Sequence, residues 1–159
     1  MEKLKSAIAP SNREAIAKAL YQCVSETAVT TMLAQNYHWN VTGMAFGPLH
    51  NLFQEIYEDH FAAQDELAER MRALGSFVDG NLRSMVNQSK VTECESQISA
   101  VDMIKNMMNA QETLASTNAG TSDIAASHGD KLTEDLCIER GHVHELSLIH
   151  ISEPTRPNT

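Results

Sequence analysis

Apolar residues along this chain recur at intervals of three and four, the period of a helix with one buried face. From Ile16 they fall at Leu20, Val24, Thr27 or Ala28, Thr31 or Met32, Leu33 and Tyr37. Ser11-Asn12-Arg13-Glu14 just ahead of them has the form of a capping box, and Pro10 precedes it. A helix is therefore predicted over about 12–39, stopped by Asn40-Val41-Thr42-Gly43. Gly47-Pro48 opens a second stripe: Leu49, Leu52, Phe53, Ile56, Tyr57, Phe61, Leu67, Ala68, Met71 and Leu74. That helix is predicted over about 48–74, ending near Gly75. Residues 76–98 are polar and mixed, with a short helix expected around 81–88. A third long helix starts at Ser99-Ala100-Val101-Asp102 and carries Val101, Ile104, Met107 or Met108, and Leu114. A kink or fraying is expected at Asn118-Ala119-Gly120-Thr121. The turn His128-Gly129-Asp130 leads into a fourth helix from about Asp130. With no β-type alternation and no repeat, the pattern predicts an all-α fold: four long helices and a short extra one between the second and third.

Composition narrows the class. A chain of 159 residues suits one domain, and 42% hydrophobic with 21% charged residues reads as globular. No apolar run approaches the ~20 residues of a membrane span. The start, MEKLKSAIAPSNRE, has no apolar signal-like region, so a cytoplasmic location is expected. Cys23, Cys94 and Cys137 are odd in number and far apart, which argues against a disulfide framework or a zinc knuckle. The net charge of −9 attracts cations and repels a nucleic-acid backbone. Any DNA contact would need a local basic element. The start of the chain offers one, with Lys3, Lys5, Arg13 and Lys18, and residues 1–10 are expected to form a mobile tail.

The end of the chain has a different character. Residues 146–156 read LSLIHISEPTR, which resembles one reading frame of a transposon-end sequencing adapter. Residues 146–159 are therefore expected to be a non-native tail, leaving a domain of 11–145 with a truncated last helix. Pro154 and Pro157 argue against regular helix there, and no apolar stripe is expected.

Four residues carry metal-ligand chemistry. His38 ends the first predicted helix, His50 begins the second, and Asp65 and Glu69 stand one turn apart further along it. Imidazole nitrogen with carboxylate oxygen suits iron. His50 and Asp65 are fifteen residues apart on one helix, roughly 22 Å at 1.5 Å per residue, and cannot hold the same ion within one chain. A site using all four needs two chains, and an antiparallel two-fold contact between second helices would create two equivalent sites. The bland alternatives are a helix-end cap for each His and a solvated face for Asp65 and Glu69, beside Glu66 and Arg70. His60, His128 and His144 have no matching partners and read as surface residues. Met103, Met107 and Met108 read as packing.

The stretch YHWNVTGMAFGPLHNLFQEIYEDHFAAQDELAERMRALG, residues 37–75, resembles the signature of the Dps family, the DNA-binding proteins from starved cells. A weaker resemblance covers about 11–145. It implies a ferritin-like four-helix bundle, assembled as a hollow dodecamer, with ferroxidase centres between two-fold-related subunits. By that resemblance His38 and His50 come from one chain and Asp65 and Glu69 from its neighbour, with Trp39 beside the centre as an electron-transfer or packing residue. Iron would be oxidised from Fe(II) to Fe(III) as a dinuclear pair, with hydrogen peroxide the family's preferred oxidant, then stored. Many members carry Asp or Glu four residues after the second histidine. Here Gln54 stands there, so the second iron is expected to be held weakly, with Gln54 or Glu58 as further ligand candidates. The alternative function is non-specific DNA binding and compaction, through Lys3 and Lys5, at the bacterial nucleoid. A ferritin or bacterioferritin centre inside one bundle would need two Glu-x-x-His pairs. The chain has one, Glu139 with His142.

Overall fold

The computed structural model describes residues 1–152, which form five helices: α1 (Pro10–Asn40), α2 (Phe46–Ala73), α3 (Leu82–Gln88), α4 (Ala100–Ser127) and α5 (Lys131–Ser152). The short links 41–45 and 128–130 fold α1 on α2 and α4 on α5 as hairpins. The hairpins then pack through α1 against α4 and α2 against α5, and α3 lies across α1. Two apolar clusters fill the bundle. Leu33, Tyr37, Leu49, Phe53, Met103 and Met107 lead one at the α1–α2 link. Ile16, Leu20, Val24, Leu67 and Met71 lead the other at the far end. Met103 and Met107 are core residues, as their spacing predicts, and Met108 packs against the same cluster.

Several boundaries differ from the sequence reading. The capping box at Ser11 does not form: α1 starts at Pro10, with Ala9 as its N-cap and no side-chain cap bond. Proline has no N–H to leave unsatisfied and already holds a helical φ, so it takes the first helical position. α4 passes through 118–121 without a break. Asn118 is buried there, and its side-chain N–H donates to the Leu114 carbonyl one turn back. Ser99 caps α4 by accepting from the Asp102 N–H.

The first residues are docked. The Glu2 N–H donates to the Gly75 carbonyl at 2.8 Å, and the Glu2 carboxylate pairs with Arg72 at 2.7 Å. Arg13, expected as part of a basic surface, is buried: it donates to the carbonyls of Ile8, Glu2 and Leu74. Gly75, at φ +90°, makes this possible, because a side chain there would meet the Arg13 guanidinium at 2.8 Å.

The helical end also differs. α5 continues past Glu145 to Ser152, and Ile151 is fully buried in the cluster of Leu49 and Phe53. Cys137, Arg140, His144 and Ile151, with Ser147 and Leu148 half-buried between, share one face, so the expected lack of a stripe does not hold for 146–152. Pro154 and Pro157 lie outside the described residues.

His60 and His144, expected on the surface, are 1% and 0% exposed. They meet edge to face across α2 and α5, with centroids 5.0 Å apart. A directed chain of hydrogen bonds holds them. His144 Nδ1–H donates to Gln111 Oε1 at 2.7 Å, the Gln111 amide donates to His60 Nε2 at 2.9 Å, and His60 Nδ1–H donates to Asp59 at 2.9 Å. Arg140 grips the same carboxylate with both terminal nitrogens. This order leaves the His144 Nε2 lone pair without a donor. Glu26, also fully buried, accepts from Gln22, Thr117 and the Lys90 N–H, tying α4 and the α3–α4 connection to α1.

The buried network makes the fold acid-sensitive. Burial pushes both imidazoles below their ordinary 6.5, and Arg140 adds to it; His60 adds to it for His144, while Asp59 opposes it. The unfolded chain binds a proton near pH 6.5 and the folded chain does not. Stability is therefore whole above about pH 6.5 and lost below it, by up to about tenfold in the folding constant per pH unit for each histidine. Although burial opposes it, His60 and Arg140 hold the Asp59 carboxyl well below its usual range, so its contribution is lost only in strong acid. Denaturant unfolding between pH 5 and 8 should show this dependence, and His144→Leu should flatten it by about one proton. An unchanged slope in that variant would mean that His144 is protonated within the fold.

The end of α5 gives a second expectation. Ile151→Ala should cost about 2–4 kcal/mol, the range for truncating a buried aliphatic side chain. Ile149→Ala, at a position 49% exposed, should cost under about 0.5 kcal/mol. Equal unfolding midpoints for the two variants would show that the last turn is not packed.

Candidate metal centre

α1 ends and α2 begins at one corner of the bundle, and the five-residue link sets His38 against His50. Their rings are stacked, with centroids 3.7 Å apart and planes 19° from parallel. Each holds the other's backbone: His38 Nδ1–H donates to the His50 carbonyl at 2.7 Å, and His50 Nδ1–H donates to the His38 carbonyl at 2.7 Å. With the proton on Nδ1 in both rings, both Nε2 atoms carry free lone pairs. Metal-binding histidines are oriented in the same way, by a carbonyl or carboxylate on the other ring nitrogen. Two imidazoles so close also suit two ions at the ~3.5–4 Å spacing of dinuclear sites. His38 is buried and His50 half-buried, so the pair opens on one side. The Tyr57 ring stands edge-on to His38 at 5.3 Å.

The remaining candidates lie down the same face of α2. Gln54, one turn on, donates its amide to Glu58 at 2.9 Å, so the two side chains near the histidines are joined to each other. Asp65 and Glu69 are exposed and have no hydrogen-bond or ion-pair partner among the described residues. Arg70 does not neutralise them. It turns to the α4–α5 link, donating to Thr133 and Asp130 at 2.9 Å. Within one chain the carboxylates do not reach the histidines, and among the described residues no group of three or more His, Cys, Asp or Glu converges on a metal position. The fifteen-residue distance holds because α2 is unbroken from Phe46 to Ala73.

The face between the two halves is apolar in its middle. Phe61 is 71% exposed, and eleven residues beyond His50 the helix returns to within about 20° of its direction. Trp39, next to His38, is 63% exposed. A groove of about 330 Å³ runs between α1 and α3, lined by Val29, Met32, Leu33, Leu82, Met85 and Val86. The intra-bundle alternative gains nothing: Glu139 and His142 are exposed on α5, away from the interior. Lys3, Lys5 and Lys18 are exposed.

Sequence reasoning missed the Asp59–Arg140 pair and the buried His60–Gln111–His144 chain. A signal was present: His60 follows Phe53 and Ile56 on the buried stripe and precedes Ala63 and Leu67. A histidine on that register is a core residue.

The comparisons with known proteins agree with this architecture. The ferritin-like domain family matches residues 17–145. The "DNA protection during starvation protein" of Brevibacillus brevis is 29% identical over 82% of this chain and 89% of its own length. The Dps structure from Staphylococcus aureus is 28% identical, covers 91% of this chain and 97% of its own, and superposes with a TM-score of 0.87. A Dps structure from Vibrio cholerae O1, described as a member of a broad superfamily of ferritin-like diiron-carboxylate proteins, covers 98% of both chains with a TM-score of 0.91 at 22% identity. The family match covers most of the chain, the relatives carry the Dps name, and the bundle is theirs: this chain belongs to the ferritin-like domain family, on its Dps branch.

Proposed function

We propose that this protein oxidises Fe(II) to Fe(III) at centres shared by two-fold-related copies, and stores the product. The observation that carries this reading is the reciprocal His38–His50 hydrogen bonding, which leaves two Nε2 lone pairs side by side. His38 and His50 of one protomer would meet Asp65 and Glu69 of its partner, whose carboxylates have no ion-pair partner among the described residues of the single chain. The exposed Phe61 between the two half-sites supports an α2-to-α2 contact, since an apolar ring at its middle would be covered. Trp39 flanks the same corner and would take part in packing or electron transfer.

Iron is the substrate. Two ferrous ions give up one electron each to one molecule of hydrogen peroxide, which takes two protons and leaves as two molecules of water. The paired transfer avoids the one-electron step that releases hydroxyl radical. Asp65 and Glu69 would offset the charge gained on oxidation, and imidazole ligands, which bind through a lone pair, would add no negative charge. Oxidised iron would then be stored inside a dodecameric cage, protecting DNA. The diiron-carboxylate description of the Vibrio cholerae protein and the protective name of the Brevibacillus brevis relative agree with this role. Direct DNA binding is the lesser reading, because Arg13 is buried and the segment bearing Lys3 and Lys5 is docked.

His38→Ala or Asp65→Ala should abolish fast peroxide-dependent Fe(II) oxidation and leave helicity intact. The shared-site geometry has a sharper test. A His38→Ala/His50→Ala chain mixed and reassembled with an Asp65→Ala/Glu69→Ala chain should recover about a quarter of the parental rate: half the pairs are mixed, and each mixed pair rebuilds one of its two sites. A mixture as inactive as its components would exclude a site made from two chains.

Gln54 supports a further expectation. Its amide is neutral and already bonded to Glu58, so the second iron should be the weaker. Gln54→Glu should move an iron titration towards two ions per centre at lower free iron. An unchanged titration would place Gln54 outside the metal's reach.

A further inference from the structure

Phe46, the first residue of α2, stacks on the outer face of His50, with ring centroids 4.9 Å apart and planes 23° from parallel. His50 is thereby enclosed between two flat rings, Phe46 on one side and His38 on the other. Tyr57 closes the far end of the row against His38. The spacing follows from the helix: Phe46 and His50 are one turn apart and share a face. Phe46 is 44% exposed and stands outside the buried clusters, so its best-defined partner is an imidazole, not the core.

We infer that Phe46 is a positioning residue that keeps the His50 ring in its Nδ1–H form and its Nε2 turned outward. The inference rests on the metal reading above for its purpose and on ring geometry for its content. The His50 Nδ1–H bond runs to a carbonyl at a helix end, where water can compete for both groups. Phe46 shields one face of the imidazole and blocks rotation away from His38. Without it, water reaches that face and the ring can turn. In water a neutral imidazole prefers its proton on Nε2, the atom a metal needs bare. His38 is better protected, since it is buried and keeps Tyr57 at its edge. Loss of Phe46 should therefore affect His50 first.

The test uses the assembled, metal-free protein with ¹⁵N-labelled histidine, studied by solid-state NMR at pH 8. Both His38 and His50 should show protonated Nδ1 and bare Nε2 in the parent. Phe46→Ala and Phe46→Leu should shift a large part of His50 to the Nε2–H form, while Phe46→Trp, which restores a flat face, should not. A lowered melting temperature with unchanged tautomers would reduce Phe46 to packing and overturn the inference, as would identical tautomers in all four proteins. Titration with Co(II) forms a separate arm. Phe46→Ala should weaken its binding about five- to tenfold, with recovery in Phe46→Trp. If the parent binds no Co(II), the metal reading fails while the tautomer result still decides the role of Phe46.

Discussion

A continuous helix cannot bring its own two ends together, and α2 is unbroken from Phe46 to Ala73. His50 sits near its start, Asp65 and Glu69 near its end, and the rise between His50 and Asp65 is roughly 22 Å. Nothing in the bundle shortens that distance, because bending α2 would break the row of Phe53, Ile56, Ala63 and Leu67 that fills the core. On the proposed reading the single chain carries two incomplete halves: a pair of imidazole nitrogens, and a pair of carboxylates with no ion-pair partner among the described residues. A two-fold axis near the middle of α2 is the arrangement that completes both halves at once, and Phe61 lies close to where that axis would pass.

The interior of the bundle is closed to such chemistry by its own charges. A metal site built between the helices would need carboxylates and histidines free to face one another. Here the buried polar side chains between α2 and α5 are largely tied to one another. Gln111 bridges the two imidazoles, and Arg140 fixes Asp59 through a bidentate contact. A guanidinium cannot lose its proton at ordinary pH, so a cation entering beside it would meet repulsion at short range. The position that could serve as a metal box is occupied by a permanent positive charge and its counter-ion. The exposed α2 face remains as the place where unsatisfied ligands collect.

The helices and the His38–His50 pair were legible because each rests on a local rule. Period fixes which residues of α2 face inward, and the short link between α1 and α2 sets their ends together. What escaped depends on neighbours distant in the chain. His60 and His144 are ordinary polar residues until Gln111, from a third helix, bonds to both of them. Arg13 reads as a surface cation, yet three carbonyls from the chain start and the end of α2 take up its donors. The end of α5 misled for another reason. Pro154 and Pro157 lie outside the described residues, and a proline restricts chiefly the residue just before it. Ser147, Leu148 and Ile151 remain helical. Whatever the origin of that segment, its apolar residues at this spacing are enough to cover the cluster beneath.

The two histidine pairs show how one side chain serves opposite ends. Both pairs are oriented by a hydrogen bond from Nδ1, which leaves Nε2 as the remaining ring nitrogen. In the interior pair, the Nε2 of His60 meets an amide and that of His144 meets nothing, beside the fixed charge of Arg140. Adding a proton there places a second cation next to the first, without water to solvate it, so the fold resists protonation until it opens. In the corner pair the carbonyls of His38 and His50 take up the Nδ1 protons, and the Nε2 atoms face the open side. A cation arriving there displaces water and meets no arginine or lysine in the first turns of α2, since the helix carries none before Arg70. Placing the arginines therefore decides as much as placing the histidines. Arg140 beneath α2 closes the interior to metal, and the turning of Arg70 away from Asp65 and Glu69 leaves the outer face negative where an incoming iron would need it.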